Sequence, residues 1–124
     1  MRKPISFLAV AVVLIGVAAC TENASDSKGS ALKVSSTADG CAVSASAAPS
    51  GSVVFDVTND GSEVTEFYLL AEDGRIVGEA ENIGPGITRT LVVEAAAGNY
   101  FTVCKPGMVG DGIRAAFTVS DSKG

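Results

Sequence analysis

The chain has 124 residues, a formal net charge of −5, three cysteines, and neither histidine nor tryptophan. The acidic balance argues against nucleic acid and anionic lipid as partners. The absence of histidine excludes Ser-His-Asp and Cys-His catalysis, histidine zinc sites and a blue-copper site with two histidines. Because no pair of carboxylates is marked by its sequence context for acid–base work, we expect that the protein is not an enzyme.

The first 19 residues have the order of a secretory signal, with Arg2 and Lys3 before an apolar run over residues 5–19. That run is too short to favour a permanent spanning helix. The residues Val17-Ala18-Ala19-Cys20 resemble the lipobox of bacterial lipoproteins, in which cleavage leaves the cysteine first and lipid is added to it. The resemblance implies lipidation at Cys20 and export to the outer face of the cytoplasmic membrane, in the periplasm or cell envelope. An ordinary signal peptide is the alternative.

The sequence predicts four regions. These are a signal peptide over 1–19, the lipidated cysteine with a flexible tether over 20–30, one folded domain over 31–120, and a short tail over 121–124. Loss of the leader removes two basic residues and no acidic one, so the formal charge changes from −5 to −7.

The folded domain reads as β-structure because its apolar residues follow period two between frequent Gly, Pro, Asn and Asp residues. Val53, Phe55 and Val57 alternate with polar neighbours, and Asn59-Asp60-Gly61 then supplies turn chemistry. Other predicted strands cover residues 32–36, 66–70, 75–78, 87–94, 100–104 and 115–120. About seven short strands predict an all-β fold, an antiparallel Greek-key β-sandwich rather than a parallel sheet.

Lipidation of Cys20 would leave Cys41 and Cys104 as a pair. In an oxidising compartment such a pair forms a disulfide, or else it supplies two soft ligands to one metal. The sequence leaves both alternatives open.

One segment suggests a metal loop, because Cys104 ends a predicted strand and is followed by Pro106-Gly107 and Met108. This order resembles the copper loop of cupredoxins, and residues 59–67 resemble the cupredoxin strand that carries the first histidine ligand. The resemblance places Thr65 at the first histidine position and Met108 near the second. Both positions hold another residue here, which argues against fast copper electron transfer.

The string Glu79-Ala80-Glu81-Asn82-Ile83-Gly84-Pro85-Gly86, with the two cysteines and Glu66, resembles the cupredoxin-like domain of EfeO, the extracytoplasmic component of a bacterial iron-uptake system. The resemblance implies a cupredoxin-like sandwich that binds an iron or copper ion and presents it to a membrane permease complex. EfeO proteins continue into a helical metallopeptidase-like domain, which these residues do not include. A free-standing member and the first part of a two-domain protein both fit.

Carried over from that family, the primary metal ligands are Cys41, Glu66 and Cys104, with Glu79 and Glu81 as secondary carboxylates and Met108 as a further candidate. Each also has a plainer interpretation. The cysteines can form a disulfide, Met108 can be a loop hydrophobe, and the glutamates can be solvent-facing strand residues. The alternative function is an interaction module that holds no metal and is stapled by a Cys41–Cys104 disulfide.

Overall fold

A computed structural model describes residues 31–122 of the chain. They form nine β-strands and one 3₁₀ turn at Pro106–Met108. The strands are β1 Leu32–Ser36, β2 Cys41–Val43, β3 Ala47–Pro49, β4 Gly51–Asn59, β5 Thr65–Ala71, β6 Ile76–Ile83, β7 Thr88–Ala95, β8 Gly98–Cys104 and β9 Ile113–Ser120. The predicted signal peptide, the predicted lipidation at Cys20 and the tether lie outside the described residues.

The strands form two sheets. The four-stranded sheet has the order β2-β1-β4-β7 and the five-stranded sheet has the order β3-β9-β8-β5-β6. Strand β4 shows why the chain folds this way, because Val53, Phe55 and Val57 are buried while the residues between them are less buried or exposed. A period of two places every second side chain on the face that meets the other sheet.

The core lies between the two sheets and is built around three phenylalanines. The ring centroid of Phe55 lies 5.1 Å from that of Phe67 and 5.5 Å from that of Phe117. All three side chains are fully or almost fully buried, and burial of each contributes roughly 1.5–3 kcal/mol. Phe55 belongs to the four-stranded sheet and the other two belong to the five-stranded sheet, so these contacts join the layers.

The prediction of an all-β sandwich is confirmed, with two differences in detail. The structure has nine strands instead of about seven, because β2 and β3 contain three residues each and are too short to show an alternating pattern. The expected antiparallel pairing is also incomplete, since β1 pairs with β4 and β3 pairs with β9 in parallel. The chain between β1 and β4 includes both short strands, which gives the crossover length that parallel pairing needs.

Strand β6 extends beyond the predicted segment 75–78. A register shift in its pairing with β5 lies between Thr65, which pairs with Ile83, and Phe67, which pairs with Ala80. Asn82 has a positive φ of 55° within this irregular stretch. Such a β-bulge inserts an extra residue and breaks the alternation, which hid the second half of the strand from the sequence pattern. Among residues 31–122 there is no helix of the length and apolar character that crossing a membrane requires.

Candidate functional site

Cys41 and Cys104 are joined by a disulfide in the structure. Cys41 begins β2 at the edge of the four-stranded sheet, and Cys104 ends β8 inside the five-stranded sheet. Their Cα atoms are 5.5 Å apart, and Cys104 is completely buried. The bond therefore links the two layers across the core. Because each sulfur is bonded to the other, neither is a thiolate that can bind a metal ion in this state.

Thr65, at the position that the resemblance assigns to a first histidine ligand, faces the same interior. Its hydroxyl lies 2.8 Å from the hydroxyl of Ser36, and both residues are 1% exposed. Ser36 pairs across the sheet with Cys41, so this hydrogen bond and the disulfide lie at the same end of the sandwich. The hydrogen bond joins β1 to β5 and engages the Thr65 hydroxyl, the side-chain oxygen that Thr65 has at this position.

Asn59 fixes the turn that leads into β5. Its side-chain nitrogen donates to the carbonyl of Glu63 at 2.6 Å and to the carbonyl of Ile83 at 2.8 Å. Its side-chain oxygen accepts the backbone N–H of Gly61 at 2.9 Å. The sequence pattern indicated a strand-ending turn at Asn59 but gave no sign of the bond to Ile83, which joins residues 24 positions apart in sequence.

The loop after Cys104 is bound by its backbone to the start of β5. Lys105 donates its backbone N–H to the carbonyl of Glu66, and Gly107 donates to the carbonyl of Val64, each at 2.8 Å. Gly107 has a φ of 75°, a backbone conformation that favours glycine. Met108 is half-buried with a φ of 56°.

The predicted glutamate ligands lie on the other side of the sheet from the cysteines. Phe67 pairs directly with Cys104, and both side chains face the core. Glu66 is the neighbour of Phe67 in a strand, so its side chain projects from the opposite, outer face. It is only 5% exposed and accepts a hydrogen bond from the Tyr68 hydroxyl, so the interpretation of Glu66 as an exposed strand residue is wrong.

The outer face carries a group of acidic residues around Tyr68. Glu79 pairs with Tyr68 across β5 and β6. Burial, the hydrogen bond to Glu66 and then the charges of Glu66, Glu79 and Glu81 raise the pKa of Tyr68 well above its usual range. Partial desolvation, followed by the charge and hydrogen bonding of Glu81 and the charge of Glu66, raises the pKa of the Glu79 carboxyl. These glutamates lie close enough to interact with one another.

The six predicted metal ligands do not meet at one point. The cysteines are joined inside the sandwich, the three glutamates belong to the outer face, and Met108 lies in the loop. Within residues 31–122, no three His, Cys, Asp or Glu side chains converge closely enough to hold one ion. At the positions that the cupredoxin resemblance assigns to metal ligands, the chain has two cysteines joined in a disulfide, a threonine hydroxyl bonded to Ser36 and the thioether of Met108, and it has no histidine. This donor set does not fit copper.

The structure has a cleft on the outer face of the five-stranded sheet, which the sequence did not predict. It has a volume of about 490 Å³. A cross-strand row of Glu79, Tyr68, Val103 and Arg114 runs over the sheet beside it. The lining residues come from four strands and two turns: Tyr68, Leu70, Gly74, Ile76, Val103, Lys105, Gly110, Asp111 and Arg114. The only available signal was the alternation within β5 and β8, which places these side chains opposite the core.

Comparison with known proteins agrees with the fold. Residues 7–119 match the family model described as a cupredoxin-like domain. Among curated proteins the sequence has no match. The family match spans most of the chain and fits a sandwich of two sheets with a cysteine at the end of β8. The chain therefore belongs to the cupredoxin-like domain family.

Proposed function

We propose that this protein is an exported, membrane-tethered binding module of the cell envelope, in which a disulfide occupies the place that a metal ion has in cupredoxins. The observation that carries the proposal is the bond between Cys41 and Cys104. It consumes the only cysteine sulfurs among the described residues, at the end of the sandwich where the family resemblance expects a metal.

The disulfide crosslinks the two sheets, as a shared metal ion would, but it binds no ion. It connects the edge strand β2 to the central strand β8 and closes a loop with a sequence separation of 63 residues. Closing a loop of this length stabilises a fold by about 4 kcal/mol. A module held in this way keeps one rigid shape and presents its outer surfaces to a partner.

An envelope location agrees with this chemistry. Disulfides persist outside the cytoplasm and are rare inside it. The signal-like residues 1–19 and the lipobox-like residues ending at Cys20 support export followed by lipid anchoring. Metabolic labelling with a fatty acid tests the anchor. We expect the wild-type chain to be labelled and the Cys20→Ser variant to remain unlabelled. An unlabelled wild-type chain would contradict the tether.

A second candidate function is presentation of iron or copper to a membrane permease, as the EfeO resemblance implies. One observation favours it. Glu66, Glu79 and Glu81 lie on adjacent strands around Tyr68, and carboxylate and phenol oxygens suit hard ions such as Fe(III). The arrangement would have to close around the ion, because these side chains do not converge on one point in the structure.

Titration of the purified protein with Fe(III) and with Cu(II) separates the two candidates. We expect the oxidised protein to bind neither ion stoichiometrically, and Glu66→Gln to behave like a control variant at an exposed turn, Glu72→Gln. Stoichiometric binding by the oxidised protein that is lost in Glu66→Gln and kept in Glu72→Gln would contradict the metal-free module and support the second candidate.

A further inference from the structure

We propose that the outer-face cleft binds a small organic anion with an apolar body, and that the anionic group lies between Lys105 and Arg114. The inference rests on the proposed function, since it gives the binding module a site and a class of ligand.

The floor of the cleft is apolar and aromatic. Tyr68 and Val103 pair with each other across β5 and β8, and both project from the outer face because their strand neighbours face the core. Leu70 and Ile76 extend this surface, and Ile76 remains 52% exposed. Tyr68 and Val103 are already buried, so the apolar area that a ligand can still remove from water is that of Leu70 and Ile76, and its removal favours binding.

One wall of the cleft is the loop 109–112, which folds tightly over β8. Val103 is 1% exposed although it belongs to the outer face, so its neighbours cover it. A Cβ at Gly112 would lie 2.6 Å from a methyl carbon of Val103 and 2.8 Å from the carbonyl oxygen of Cys104. Only glycine permits this approach, and its φ of 79° requires glycine as well. The packing of Gly112 against β8 therefore fixes the position of the loop that forms this wall of the cleft.

Two cations at the cleft lack a carboxylate partner. The Lys105 ammonium lies 5.2 Å from the ring centroid of Tyr68, and the Arg114 guanidinium lies 5.0 Å from that of Phe101. The one ion pair within residues 31–122 is on the other sheet, between Lys33 and Asp56. In a chain with a net charge of −5, the presence of two cations in one cleft makes this surface suitable for an anion.

The carboxylates near the cleft determine which way a bound anion is oriented. Asp111 also lines the cleft, and Glu79 lies at the far end of the row that ends at Arg114. That row spans three strand spacings, or about 14 Å. Glu79 repels an anion from its end of the row, and Arg114 attracts it at the other. Contact with aromatic rings also limits the freedom of both cations before a ligand arrives.

The size of the cleft sets the class of ligand. A volume of about 490 Å³ falls within the roughly 300–1,000 Å³ that is typical of small-molecule sites. Together with the apolar floor and the two cations, this favours a ligand of a few rings, or a short chain, that carries one carboxylate, sulfonate or phosphate group.

A matched pair of fluorescent probes tests the proposal. 8-Anilinonaphthalene-1-sulfonate has an apolar body with one anionic group, and N-phenyl-1-naphthylamine has the same body without it. We expect the sulfonate to bind about tenfold more tightly than the neutral probe, and Lys105→Gln and Arg114→Gln each to weaken the sulfonate about tenfold. Lys33→Gln, on the other sheet, serves as the control and leaves binding unchanged.

Nuclear magnetic resonance locates the bound sulfonate probe on the protein. We expect its largest chemical-shift changes at Tyr68, Val103 and Arg114. Equal affinity for the two probes, equal binding by Arg114→Gln and Lys33→Gln, or shift changes confined to another surface would each overturn the proposal. Any of these results leaves the metal titration unaffected, so failure of this site and failure of the metal-free module are distinguishable.

Discussion

One end of the core holds the Cys41–Cys104 disulfide and the Ser36–Thr65 hydrogen bond, and we call it the interior end. The interior end and the outer face of the five-stranded sheet share strands β5 and β8 but differ in chemistry. In β8 and the residue after it, Cys104 faces the core, whereas Val103 and Lys105 belong to the outer cleft. In β5, Thr65 bonds inward to Ser36, and Glu66 contacts Tyr68 on the outer face. Alternation along a strand thus sends neighbours in sequence to two separate places.

The two regions also differ in whether their polar and charged side chains have partners within the protein. At the interior end the sulfurs bond to each other and the hydroxyls of Ser36 and Thr65 bond to each other. No buried side-chain nitrogen or oxygen among residues 31–122 lacks a partner. The outer face holds two cations that form no ion pair with any described residue. The interior end has the properties of a structural staple, and the outer face has those of a ligand site.

The largest expected effect comes from removal of the staple. Replacement of both cysteines, Cys41→Ala with Cys104→Ala, should lower the free energy of unfolding by about 4 kcal/mol, because the unfolded chain loses its crosslink. Urea unfolding measures the change, and reduced wild-type protein is the control, since it should unfold close to the double variant. Unchanged stability would show that the interior end does not act as a staple.

The next effect concerns the wall of the cleft. Gly112→Ala should lower the free energy of unfolding by about 3 kcal/mol, because the new methyl group meets Val103 and the Cys104 carbonyl in addition to the strain of a positive φ. Gly110→Ala is a matched control with a φ of 77° and no neighbour within 4 Å, and it should cost about 1 kcal/mol. Equal costs for the two variants would refute the close packing of loop 109–112.

A smaller effect is expected at the turn before β5. Asn59→Ala should lower the free energy of unfolding by about 2 kcal/mol, because it leaves two carbonyls and one N–H without the bonds that the amide provides. The exposed residue Asn99 provides the control, and Asn99→Ala should change stability by no more than about 0.5 kcal/mol. Thermal or urea unfolding of both variants gives the comparison.

The smallest effect on stability at neutral pH is expected on the outer face, where the test is a titration. Tyr100→Phe leaves Tyr68 as the remaining phenol, whose ionisation is then followed by ultraviolet absorbance. Burial and Glu66 raise the pKa of Tyr68 in the folded protein, so the protonated phenol stabilises the fold. This stabilisation is complete below the usual phenol pKa of about 10, and it is lost as the pH rises through the higher pKa that Tyr68 has in the folded protein. Glu66→Gln should lower the Tyr68 pKa toward its usual range, whereas Glu94→Gln, on the other sheet, should not.

The sequence predicted the parts of the fold that depend on local pattern. Alternation in β4 and the turn at Asn59 were sufficient to indicate an all-β sandwich, and the cupredoxin-like resemblance agrees with the family match. The sequence did not predict the short strands β2 and β3 or the bulge near Asn82. Neither a three-residue strand nor an interrupted alternation gives a periodic signal.

The sequence predicted less of the site. It identified Cys41 and Cys104 as a pair but left open whether they are bonded or bind a metal, because a sequence gives no distance between sulfurs. It grouped Glu66 with the cysteines, although the pairing of Phe67 with Cys104 puts Glu66 on the other face. The cation pair of the cleft was invisible, since Lys105 and Arg114 come together only when β8 and β9 align.

The most direct test of the metal-free module counts thiols and metal together in the native protein purified without reductant. Alkylation followed by mass spectrometry reports free cysteines, and elemental analysis of the same sample reports iron and copper. We expect Cys41 and Cys104 to resist alkylation until a reductant is added, and no stoichiometric iron or copper to be present. Free thiols at both positions together with one bound metal ion per chain would contradict the metal-free module.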